Sequence, residues 1–184
     1  QITDGFIKED LGMLHKAEDT MRRKREELKN SRRKEMIGFR RIDPEVAMEK
    51  NTWFHLGRNS CEEILYCLRR IADPCEEHVD NNFAPLSQEQ VKEYIPLRDT
   101  VLFLLRRTEK ILQTGSYNEV DEVRREAEEL KDCLEKAREA QMQRMQSSKE
   151  NIAVAYLYLN LLQETRELTS SLRHLLRASK GFRE

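Results

Sequence analysis

Residues that interrupt helices are scarce: the 184-residue chain has six Gly and four Pro. No segment alternates apolar and polar side chains between turn signals, so neither a sandwich nor a barrel of strands is expected. Long apolar runs are also missing. The longest, Ile152 to Leu162, is eleven residues broken by Asn160, well short of the roughly 20 that span a bilayer. Charge of one sign is lacking too. The 33 basic and 34 acidic side chains nearly cancel, to a net −1, which provides no global field for nucleic acid or anionic lipid. The four cysteines, Cys61, Cys67, Cys75 and Cys133, fit neither a Cys-x-x-Cys pair nor a structural zinc site, so a reducing compartment is expected. Gly-x-Ser-x-Gly, a Gly-rich phosphate loop and Glu-x-x-His are all absent, and no cysteine has an evident activating partner nearby in sequence. The expectation is a protein that is not an enzyme. There is no signal peptide, and a start at Gln1 reads as a piece of something longer.

What the chain does contain is helix-forming: 36% of it is charged, with long tracts of Glu, Lys, Arg, Leu, Ala and Gln. The spacing of Ile7, Leu11, Leu14, Met21 and Leu28 predicts a first helix from about Thr3, capped there or at Asp4, to about Asn30, with a turn at Gly38. Asp43, Pro44 and Glu45 supply an N-cap, a first-turn proline and an acid at the positive dipole end of a second helix, which runs to Asn81 and Asn82. Pro74 should bend it near Arg70, because proline cannot donate to the carbonyl four residues earlier. Ser87 with Gln90 forms a capping-box pattern for a third helix, kinked at Pro96 and ending at Gly115. Val120, Val123, Ala127, Leu130, Leu134 and Ala137 alternate at three and four, giving a coiled-coil-like fourth helix. Ile152 to about Ser179 forms a fifth, apolar around most of its circumference and therefore central, with Gly181 as its stop. The fold class predicted is all-α, an antiparallel bundle of about five long helices in a single domain over residues 1–184.

Four local groups carry potential function. Asp73, Glu76, Glu77 and Asp80, with His78 among them, place hard oxygen donors on one helical face, as Mg, Ca or Fe would need; the simpler reading is a solvated acidic helix end. Glu164, Glu167 and His174 could meet this cluster in space, or simply form the polar stripe of a half-buried helix. The segment Arg22 to Arg41 holds ten basic and three acidic residues and could lie against the phosphates of nucleic acid or lipid. Phe39 is its only aromatic, so there is no stacking platform, and pairing with the acidic segment Glu119 to Glu135 is the expected outcome. Trp53, Phe54 and His55, like Tyr156 and Tyr158, read as packing groups at core ends.

The segment Leu68 to Asp80, LRRIADPCEEHVD, resembles the second-helix signature of PhoU-type domains through Arg70, Ile71, Ala72 and Asp73. The last helix, AYLYLNLLQETRELTSSLRHLLRASKGF, is similar to the closing helix of the PhoU-like region that follows the membrane part of bacterial sodium/phosphate cotransporter-related proteins. The resemblance covers about a quarter of the sequence, and neither motif has a rare, chemistry-bearing spacing. It implies a PhoU-like helical bundle with a non-catalytic, regulatory or scaffolding role in phosphate transport. By that resemblance the chain would be the C-terminal soluble part of a membrane protein, on the cytoplasmic side of the inner membrane. If free-standing, it would be a cytoplasmic helical interaction module. Expected partners are the transmembrane part of the same chain or another protein, with a homo-oligomer open and nucleic acid not expected. Some PhoU-type proteins bind metal clusters through a Glu/Asp-x-x-x-Asp motif. Here Arg69 stands four residues before Asp73, and Thr165 and Thr169 flank Arg166, so only Asp73 of that pattern is present. No cofactor is therefore expected. The alternative is a metal-binding four-helix bundle holding a divalent or ferric ion at Asp73 with Glu76, Glu77 or Asp80.

Overall fold

The computed structural model describes residues 1–147 and 150–184, except for the side chains of residues 33, 36, 39 and 147. All regular structure among the described residues is helical, in the order α1 (Ile2–Ile7), α2 (Leu11–Phe39), α3 (Pro44–Asp80), α4 (Gln88–Thr114), α5 (Val120–Ser147) and α6 (Ile152–Arg183). Helix α6 is central, as its apolar circumference predicted. It packs on α3, α5 and α4, while α2 lies on α3, and α1 tucks against α2 and α3. Antiparallel neighbours are marked by cross-helix pairs: Arg70 with Glu164 between α3 and α6, Arg107 with Glu126 between α4 and α5, and Glu35 with Arg58 between α2 and α3. One hydrophobic cluster draws side chains from all six helices.

Several local signals act as expected. Asp43 accepts from the Glu45 amide at 2.9 Å, with Pro44 in the first turn. Ser87 and Gln90 exchange both capping-box hydrogen bonds, at 3.2 and 2.9 Å. Gly115 closes α4 at φ +63°, a left-handed conformation that costs glycine nothing. The α5 stripe from Val120 to Ala137 is buried at every predicted position.

Three expectations about helix ends need correction. The first helix is two helices. Glu9 turns the backbone left-handed (φ +53°), and Asp10 then caps α2 by accepting from Met13 N at 3.0 Å. Phe6 before the break and Leu14 after it both reach the core. Thr3 and Asp4 lie inside α1 instead of capping it, and Asp4 accepts from Arg98 of α4 at 2.6 Å. Helix α2 also passes Asn30 and ends at Phe39, one residue beyond Gly38, where the expected turn follows with Arg41 N donating to the Gly38 carbonyl at 3.0 Å. Lys24–Glu27 and Lys29–Glu26 contacts support its distal half, and an added Cβ at Gly38 would meet nothing within 4 Å. Gly181 does not stop α6, which continues to Arg183. A Cβ there would sit 2.6 Å from the Trp53 ring, so the glycine permits close approach of α3.

The aromatic groups divide. Tyr158 is fully buried and Trp53 and Phe54 half-buried at the end of α6, with Phe54 6.4 Å from Phe182 between ring centres. Tyr156 and His55 face outward. The expected pairing of the basic stretch with Glu119 to Glu135 does not occur among the described residues. The acids of that segment reach Arg107 and Lys110 of α4 and Arg166 and Arg173 of α6. The basic stretch pairs within α2 and, through Glu35, with α3. The reason is topological: α5 lies against α4 and α6, and α2 against α3. Phe39, the aromatic of that stretch, has its side chain outside the described set.

Candidate functional site

Pro74 organises the seam between α3 and α6. Having no N–H, it leaves the Arg70 carbonyl without its helical donor, and Asn160 of α6 fills the vacancy by donating through Nδ2 at 3.2 Å. One turn further along α6, Glu164 accepts from Arg70 Nε at 2.7 Å and Nη2 at 2.5 Å. Glu164 is 5% exposed, so its negative charge depends on that fork for compensation. The hydrogen bonds it donates to Glu164 hold the Arg70 guanidinium above its usual range. Tyr66 lies beneath Arg70, 4.8 Å from ring centre to guanidinium carbon. Arg70 thus ties α3 to α6 with its backbone oxygen and its side chain together.

Next to this seam is an apolar cavity of about 270 Å³ bounded by Ala17, Met21, Leu68, Ile71, Val101 and Leu168, with Arg98 at its side. Tyr94 and Thr165 close it through a 3.1 Å contact between hydroxyls, and burial pushes the Tyr94 phenol up to about 12. Burial likewise raises the Cys67 and Cys75 thiols to about 12, so at neutral pH both are uncharged and poor nucleophiles.

A second polar group lies at the α4–α5–α6 end. Arg144 of α5 donates to Glu93 of α4 at 3.2 and 2.9 Å, Tyr158 of α6 donates to the same carboxylate at 2.7 Å, and Gln141 accepts from Gln90 at 3.1 Å. Burial acts to raise the Glu93 pKa, but the Arg144 and Tyr158 hydrogen bonds outweigh it and hold the carboxyl below its usual range. Burial and the Glu93 charge push the Tyr158 phenol far upward.

The four carboxylates suggested as metal ligands lie around the C-terminal turns of α3. Asp73 is exposed and pairs with Arg69 at 3.0 Å. Glu76 faces His15 of α2 at 3.1 Å, and Glu77 and Asp80 are exposed. His78 turns away from them. It is buried between Phe6 and Phe83, with ring centres 5.7 and 5.4 Å away, and its Nε2 lies 2.7 Å from the Ala84 carbonyl. No three His, Cys, Asp or Glu side chains gather into a metal-holding group among the described residues. Of the second suggested set, Glu164 reaches Arg70 and Glu167 accepts from Gln163 at 2.7 Å. Sequence reasoning missed the roles of Asn160 and Arg70. Their signal was Pro74, whose missing N–H called for a donor from elsewhere.

Compared with known proteins, the chain matches no protein-family model, no curated protein and no solved structure.

Proposed function

We propose that this chain is a PhoU-like, non-catalytic regulatory domain of a sodium/phosphate cotransporter-related membrane protein, placed on the cytoplasmic side of the inner membrane. The observation that carries the reading is the α3–α6 seam. The two stretches that resemble the family lie far apart in sequence, yet they meet through Arg70, Asn160 and Glu164. No helix among the described residues is long and apolar enough to cross a membrane, so any membrane part would lie outside this sequence. A regulatory domain of this kind acts by packing against its transporter or another protein, and needs no reactive group.

The test begins with the full reading frame, where a series of hydrophobic segments upstream of Gln1 is expected. Phosphate uptake is then measured in cells carrying the whole protein with and without residues 1–184. The expected result is transport that persists but no longer responds to phosphate supply. An open reading frame that starts close to Gln1, or uptake whose regulation is unchanged by the deletion, overturns the proposal. Stoichiometric Fe, Mn or Zn that is lost with Asp73→Ala and Glu77→Ala would replace it with the metal-binding reading.

A further inference from the structure

The tip of the α2–α3 hairpin combines two properties. The first is overhang. The final turn of α6 meets α3 at Trp53, so the first nine residues of α3, residues 44–52, extend beyond it by roughly 14 Å at 1.5 Å per residue. From residue 18 to residue 59 no described side chain except that of Arg58 is buried. The second is composition. Arg32 to Lys50 carries six basic and four acidic residues, a formal +2 in a chain whose total is −1.

Four cations at the tip are uncommitted. Arg32, Lys34, Arg40 and Arg41 are exposed and make no ion pair among the described residues. Three of the tip's four acids are engaged locally: Glu35 with Arg58, Asp43 with the Glu45 amide, and Glu49 beside Lys50 at 3.5 Å. Among these cations stand Ile37, Ile42, Val46 and Met48, all exposed, Met48 by 83%. Within an antiparallel hairpin these four lie within about two helical turns of the bend, and so share one end of the rod.

We propose that this tip docks on an anionic phospholipid surface, its arginines and lysine among the headgroups and its aliphatic side chains at the acyl boundary. Charge complementarity selects the occupant: a surface of net positive charge repels a second copy of itself and attracts a layer of negative headgroups. The aliphatic side chains favour a bilayer over nucleic acid, whose phosphate backbone offers them no apolar phase. The inference rests on the exposed tip and holds whether or not the transporter reading does.

Flotation of the 184-residue chain with vesicles tests it, comparing phosphatidylcholine alone with phosphatidylcholine mixed with phosphatidylglycerol. Binding is expected only to the mixed vesicles, and should weaken as salt rises. Arg40→Gln with Arg41→Gln should reduce it by roughly 25-fold, at about fivefold per cation. Ile42→Ser with Met48→Ser should reduce it several-fold at unchanged charge. Arg124→Gln with Arg125→Gln, exposed on α5, should leave it unaltered. These positions are solvent-exposed, and circular dichroism of each variant is the check that its helices are kept. The proposal is overturned by absent binding to mixed vesicles at low salt, by equal loss in the α5 variant, by insensitivity to the tip variants, or by tighter binding to duplex DNA than to vesicles at matched salt.

Discussion

The two halves of α3 are one continuous helix held in different ways. From Ser60 to Asp80 it contributes Cys67, Ile71, Ala72, Cys75 and Val79 to the core, and its backbone is fixed by packing against α6. From Pro44 to residue 59 it adds no residue to the hydrophobic core, and α2 beside it adds none beyond Ala17. There the hairpin rests on helix propensity, an N-cap, short-range ion pairs and one clamp. Arg58, itself nearly buried, donates to Glu35 and to the Leu28 carbonyl at 2.7 Å. Propensity and capping can thus set the length of a helix, while only buried area makes a stretch of it hard to dislodge.

Substitutions on either side should expose this contrast. The largest loss is expected from Leu161→Ala at the centre of α6, about 3 kcal/mol in urea unfolding, through lost burial and a residual cavity. Arg70→Met should follow at about 2 kcal/mol, because it strands the Glu164 carboxylate without its cation. Asn160→Ala should cost about 1 kcal/mol by leaving the Arg70 carbonyl unpaired. Pro74→Ala supplies the missing N–H and should make the same change nearly silent, a coupling that a double-mutant cycle measures. Ile42→Ser and Val46→Ser in the overhang should stay within about 0.5 kcal/mol.

Acid should act at the far end of the body. The folded pKa of Glu93 lies below its usual value of 4.5, so its contribution is present above that pH and is lost as pH falls through the lowered folded value. Unfolding midpoints measured from pH 6 downward should fall less steeply in Glu93→Gln than in the wild type.

What the sequence made legible follows the range of each interaction. Caps at Asp43, Ser87 and Gly115 involve neighbours within a few residues, and the α5 stripe is a periodicity, so both could be located before any tertiary structure was known. The break at Glu9 could not. A glutamate in the left-handed region carries no turn signature, and the bend is held by Phe6 and Leu14 entering the same core from two helices. Gly181 misled for a related reason, since a glycine near a helix end signals a stop unless an aromatic ring from another helix occupies the space beside it. For the candidate site, Pro74 announced a vacant carbonyl, but its donor is 90 residues beyond Arg70, and the four acids nearby drew attention through density alone.

The contact between Gly181 and Trp53 gives the molecule a built-in optical gauge. The chain has a single tryptophan, and it stands where the overhanging rod leaves the packed body. Its emission therefore reports on that junction with no competing indole. A shift in colour would mark the hairpin lifting from its seat, even while the bulk of the helical signal stayed constant.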